Sequence, residues 1–122
     1  YRSLLTLLRE RAKTGDTFVL AGDVFDLFIG AKSVYINRYQ AFFDELRRAG
    51  ERGVSLHYIE GNHDFLLRRA FEGIPRLKLH TEDFSIEMGG KRFFLAHGDL
   101  ANRADYLYRA LRIFLRSPFI RF

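Results

Sequence analysis

Helical and strand-like segments alternate along this chain of 122 residues, and the alternation predicts an α/β layered domain. Three observations carry the prediction. Two short continuous apolar runs, Thr17 to Ala21 and Val54 to Ile59, read as buried strands. Between them Ile36, Tyr39, Phe43 and Leu46 recur every three or four residues, the spacing of a crossover helix joining parallel strands. Clusters of Gly, Asp, Asn and His follow the strand-like runs, and in open α/β sheets sites form at that edge.

Each element has its own local reason. Leu4, Leu5, Leu8 and Ala12 place an apolar stripe on a helix over residues 2–13, with Gly15 as its stop. After the first strand, residues 22–33 read as a loop. Residues 34–52 read as one helix, ended near Gly53, and the second strand follows at once. Gly61 to Asp64 reads as a turn, with Asp64 placed to cap a short helix running through Arg69. Leu77 to Leu79 reads as a short strand. Phe84 to Met88, Gly89-Gly90 and Lys91 to Ala96 read as a hairpin. Residues 103–116 form an amphipathic pattern with Leu107, Tyr108, Leu111, Phe114 and Leu115 on one side, ended or kinked by Pro118.

Composition narrows the class. Apolar residues make up 48% and charged residues 29%, which is globular, and at this length the chain forms one domain at most. The absence of Cys excludes disulfide scaffolds, thiolate zinc sites and cysteine nucleophiles, and fits a reducing compartment. No apolar run approaches the roughly 18 residues of a membrane span. The chain opens at Tyr1 and enters a helical pattern almost at once, so it is expected to be an internal fragment. The net charge of +5 is concentrated in residues 101–122, where Arg103, Arg109, Arg112, Arg116 and Arg121 face one acid, Asp105. Such a segment is either a solvated helix face docked on the core or a lid meeting an anionic partner. A nucleic-acid partner is not expected, because no docking motif accompanies the charge.

Three clusters carry candidate chemistry: Gly22-Asp23-Val24-Phe25-Asp26, Gly61-Asn62-His63-Asp64 and His97-Gly98-Asp99. Asp, Asn and His supply oxygen and nitrogen ligands for a divalent transition metal or zinc. The glycines let the chain turn sharply off a strand and let backbone approach an ion. Taken singly, a strand-end Asp is more often a cap or turn former, and a His beside Gly a turn residue. Three such clusters at three strand ends are hard to obtain from packing needs alone. His57, inside a strand, reads as a packed residue, and His80, near Glu82 and Asp83, as a surface one.

These motifs resemble the middle block of the calcineurin-like metallophosphoesterase family, with a closer likeness to the UDP-2,3-diacylglucosamine diphosphatases of the lipid A pathway. The closer likeness is carried by Gly22 to Gly30 and by His97-Gly98-Asp99 followed by Asp105, Tyr108 and Arg112. The resemblance implies an incomplete layered α-β-β-α fold and two divalent metals, manganese being the expected ion. It makes Asp23 the bridging ligand, Asn62 and His97 ligands of the second metal, and His63 the proton donor or transition-state stabiliser. Asp26, Asp64 and Asp99 would stand behind these groups, with Asp64 orienting His63, and Asp105, Tyr108 and Arg112 would contact substrate. The implied reaction is hydrolysis of a phosphoric anhydride, UDP-2,3-diacylglucosamine to UMP and 2,3-diacylglucosamine 1-phosphate, in the cytoplasm and peripheral to the inner membrane.

The chain departs from the family pattern in two ways. An Asp-x-His on a first strand and a Gly-His-x-His near the end of the family pattern do not occur here. This chain alone is therefore expected to bind metal poorly and to turn over nothing. The best-known lipid A diphosphatases also have Arg where His63 stands, His being the ordinary residue of the wider family. Alternatives are a generic phosphodiesterase or nucleotide phosphatase, and a degenerate phosphoesterase scaffold for protein binding.

Overall fold

The structure, a computed structural model, describes residues 2–98. Its elements run α1 (Arg2–Arg11), β1 (Thr17–Leu20), β2 (Phe28–Ile29), α2 (Ser33–Arg38), α3 (Gln40–Glu51), β3 (Ser55–Ile59), β4 (Asp64–Phe65), α4 (Arg68–Phe71), β5 (Leu77–His80), β6 (Phe84–Met88) and β7 (Lys91–Leu95). The mixed α/β class expected from the alternation is the one observed. β1, β3 and β5 form a parallel sheet in that order, and β6 and β7 pair as an antiparallel hairpin. The basic segment 101–122 and Asp99 lie outside the described residues.

Alternation along β3 decides what covers each face of the sheet. Leu56 and Tyr58 point to one side, where Tyr58 packs on Phe71 of α4 with ring centroids 4.8 Å apart. His57 points to the other, where its ring lies 5.1 Å from Phe84 of β6. The helical core is built from Leu5 and Leu8 of α1, Phe42, Phe43, Leu46 and Ala49 of α3, and Leu56 and Tyr58 of β3. α1 is further clasped to α3 by Glu45, whose buried carboxylate meets Arg9 at 3.1 Å, Arg48 at 3.5 Å and Arg52 at 3.6 Å.

Five local expectations are corrected. Among the described residues β1 is an edge strand with only Leu20 buried, not a buried strand, because β3 is the one neighbour it has there. The single helix over 34–52 is two helices hinged at Tyr39, whose φ of −111° and ψ of 26° leave the helical region. That hinge lets the Tyr39 ring pack 4.2 Å from Phe25 while Phe42 and Phe43 still reach the core. The loop over 22–33 contains β2, which pairs in parallel with β4 through Phe28 opposite Asp64 and Ile29 opposite Phe65. Asp64 accordingly lies in a strand and does not cap α4, which starts from Leu67 with no side-chain cap. His80 is also not a plain surface residue: it stacks on Phe84 with centroids 3.6 Å apart, and its Nε2 lies 2.9 Å from His57 Nδ1.

Candidate metal centre

The loop after β1 and the loop after β3 are tied by a reciprocal exchange of carboxylates. Asp23 Oδ1 accepts hydrogen bonds from the main-chain N–H groups of Asn62 (2.8 Å) and His63 (3.0 Å). Asp64 returns the arrangement: Oδ1 accepts from Asp23 N–H (3.0 Å) and Gly61 N–H (2.8 Å), and Oδ2 accepts from Val24 N–H (2.8 Å). The Tyr58 hydroxyl also donates to Asp64 Oδ2, at 2.5 Å. Asp64 is wholly buried, and a buried carboxylate is tolerated only with this degree of hydrogen bonding. Burial, and then the Asp64 charge beside it, push the Tyr58 phenol far above its ordinary range, so it remains a donor.

The close approach of the loops needs glycine at position 61. A Cβ on Gly61 would lie 2.3 Å from Asp23 Oδ1 and 2.7 Å from Asp64 Oδ1. A side chain at position 22 is excluded twice over, by the Gly22 φ of 79° and because a Cβ there would fall 2.6 Å from His97 Nδ1. Asp23 itself sits at φ 50°, a left-handed conformation that Asp tolerates better than bulkier residues.

His97, just beyond β7, closes the site from the hairpin. Its Nδ1 donates to the Ala21 carbonyl at 2.6 Å, because a carbonyl can only accept. The ring is thereby oriented with Nε2 3.3 Å from Asp23 Oδ2. With Nδ1–H committed, Nε2 is the ring atom turned toward the carboxylate, and an imidazole nitrogen and a carboxylate oxygen side by side are a donor pair able to share an electron-poor partner. An edge near this length is what two adjacent ligands make when each is roughly 2.0–2.2 Å from a divalent ion. The donor chemistry therefore fits a divalent cation at Asp23 and His97. Among the described residues no group of three or more His, Asp or Glu side chains is gathered to hold an ion.

The remaining expected site residues divide clearly. Asn62 and His63 lie beside Asp23, both exposed, tethered to it through their main-chain amides. The His63 ring is oriented by the main-chain carbonyl of Asp26, which accepts from Nδ1 at 2.7 Å. It is not oriented by Asp64, whose carboxylate is taken up by the loop amides and Tyr58. Asp26 thus meets His63 through its main-chain carbonyl, and Asp64 bonds the main-chain amide of Asp23. Asp99, Asp105, Tyr108 and Arg112 lie outside the described residues. Tyr58 was missed from sequence, because a Tyr inside an apolar strand reads as core, and nothing local marks its hydroxyl. Glu60 was also missed: it is buried, and its carboxylate accepts from Leu67 N–H at 2.7 Å, pinning the far end of the same loop.

Asp23 follows β1 and Asn62-His63 follow β3 of the parallel sheet, Asp64 lies in β4, and His97 follows β7 of the hairpin. The calcineurin-like phosphoesterase model matches residues 1–118, and the chain belongs to that family. Among curated relatives it is 32% identical over 117 residues to a UDP-2,3-diacylglucosamine hydrolase of Pseudomonas putida, covering 96% of this chain and 48% of that protein. To the hydrolase of the same name from Aeromonas salmonicida it is 33% identical over 129 residues, covering 98% of this chain and 50% of the relative. The one from Nitrosococcus oceani is 32% identical over 116 residues. The chain spans about half the length of the curated relatives it matches.

Proposed function

We propose that the full-length protein is a metal-dependent hydrolase of a phosphoric anhydride, acting on UDP-2,3-diacylglucosamine to release UMP and 2,3-diacylglucosamine 1-phosphate. The observation that carries the reading is the convergence of Asp23 Oδ2 and His97 Nε2 at 3.3 Å, with Asn62 and His63 tethered to the same carboxylate. The names of the relatives supply the substrate. Asp23, Asn62 and His97 would hold divalent metal, manganese in this reading, two ions being expected. Bound there, such ions activate water and neutralise phosphoryl oxygens.

The chain's own residues have separate tasks. Asp23 supplies two carboxylate oxygens, one fixed by amides and one turned toward His97. The Ala21 carbonyl sets the His97 tautomer, so Nε2 is the atom that would hold metal. His63, with Nδ1–H committed to the Asp26 carbonyl, presents Nε2 toward the leaving oxygen, and as an imidazolium it would hand over the Nε2 proton and return to the neutral ring. Asp105, Tyr108 and Arg112 are proposed to contact substrate. The basic segment 101–122 is proposed as a lid meeting the anionic, acylated substrate at the cytoplasmic face of the inner membrane. Among the described residues no helix is long and apolar enough to cross a membrane.

The test is UMP release from UDP-2,3-diacylglucosamine by the purified full-length protein with manganese. Release that stops on chelation and in Asp23→Asn and His97→Ala variants is the expected outcome. His63 favours a second reading, a phosphodiesterase or nucleotide phosphatase of the same family. Cleavage of simple diesters with none of the nucleotide lipid would select it. Hydrolysis of neither would overturn both.

A further inference from the structure

Four donors surround the Asp64 carboxylate, and three of them are main-chain N–H groups of the two site loops. The fourth is Tyr58, which belongs to neither loop. It sits on β3 in the middle of the parallel sheet, opposite Leu20 in register and wholly buried. Its ring is wedged on Phe71, so the hydroxyl is a fixed point set by the core. Asp64, by contrast, lies on a strand of two residues that pairs only with another of two.

We propose that Tyr58 is a positioning residue for the Asp23 carboxylate, acting through Asp64. The proposal deepens the functional reading above and rests on it for the role of Asp23 as a ligand. The geometry requires an external restraint at this point. Asp23 holds a left-handed backbone at φ 50°, which costs free energy unless its surroundings impose it. Its N–H is bonded to Asp64 Oδ1, so the orientation of the Asp64 carboxyl plane decides whether that restraint exists. The Tyr58 hydroxyl on Oδ2 fixes that plane against a rigid strand. Without it the carboxylate is held only by the amides of the loops it ties together, that cluster loses its hydrogen bond to the sheet, and the aim of the ligand carboxylate loosens.

The test uses Tyr58→Phe in the full-length protein, which keeps the ring and its packing on Phe71 and removes one oxygen. Amide hydrogen exchange in the metal-free protein is expected to rise by about tenfold or more at Asp23, Val24 and Gly61, with β3 and β5 unchanged. Manganese affinity, read by calorimetry, is expected to fall by about 10- to 100-fold, the range for losing a partner behind a ligand. Loop amides that exchange as in the wild type, or that speed up only in step with the strands, would overturn the proposal. So would an undiminished manganese affinity. A wild-type protein that binds no manganese would sink the functional reading alone, and the exchange pattern would still decide whether Tyr58 holds the loops.

Discussion

Two buried carboxylates in this molecule are solved in opposite ways. Asp64 is surrounded by main-chain amides of the two site loops and by one phenol set in the core. Glu45 is surrounded by Arg9, Arg48 and Arg52, long side chains that are 61%, 62% and 39% exposed. Main-chain donors specify position to within a hydrogen-bond length. Arginine heads on flexible stems supply charge but tolerate displacement. The Asp64 cluster is therefore suited to aiming a site, and the Glu45 cluster to holding two helices together.

Alanine in place of each acid tests the contrast most directly. Asp64→Ala strands the buried Gly61 amide, the part-buried amides of Asp23 and Val24, and the buried Tyr58 hydroxyl, at a cost of about 3 kcal/mol or more. Glu45→Ala is expected to cost far less, about 1 kcal/mol, because the three arginines return to water. Urea unfolding of both variants would show the difference in midpoint, and equal losses would break the comparison. Only Asp64→Ala is expected to weaken manganese binding.

A smaller effect sharpens it from the other face of the sheet. His57 is held below the ordinary imidazole value first by burial and then by His80 and Lys78, and His80 by burial and then Lys78. The folded protein thus binds fewer protons than the unfolded chain below about pH 6.5, the unperturbed imidazole value. Stability from this pair is present above that value and is lost as pH falls through the folded values. A His80→Gln variant should flatten the acid limb of a stability-against-pH curve. A limb of unchanged slope would remove the pair from the account, and neither outcome should touch metal binding at neutral pH.

Much of the candidate site was legible because its residues are punctuated by glycine. Gly22 and Gly61 stand where a Cβ would strike Asp23 or His97, so the clusters Gly22-Asp23 and Gly61-Asn62-His63-Asp64 announce themselves. The helix over Gln40–Glu51 and the hairpin were legible from period and from the Gly89-Gly90 turn. The β2–β4 pair was not, because two-residue strands have no period to detect. The hinge at Tyr39 was not, since the aromatic residues keep helical spacing straight through it. The job of Asp64 was misread for a related reason. As a short polar residue before a helical segment it has the local pattern of a cap, and only the chain folded back from Asp23 offers it better donors.

Sequence by itself determined the alternation of helices and strands, the apolar stripes that bury α1 and α3, and which polar residues fall at strand ends. These follow from periodicity and from the backbone freedom of glycine, which are properties of neighbours in the chain. Tertiary structure alone decided that Asp23 and His97, 74 positions apart in sequence, would meet at 3.3 Å. It also decided that Tyr58 would lend its hydroxyl to Asp64, and that His57 would stack against His80 and Phe84. Hydrogen bonds and ring contacts between distant residues exist only once the parallel sheet has set strand order and register, and neither is written in any local stretch of the chain.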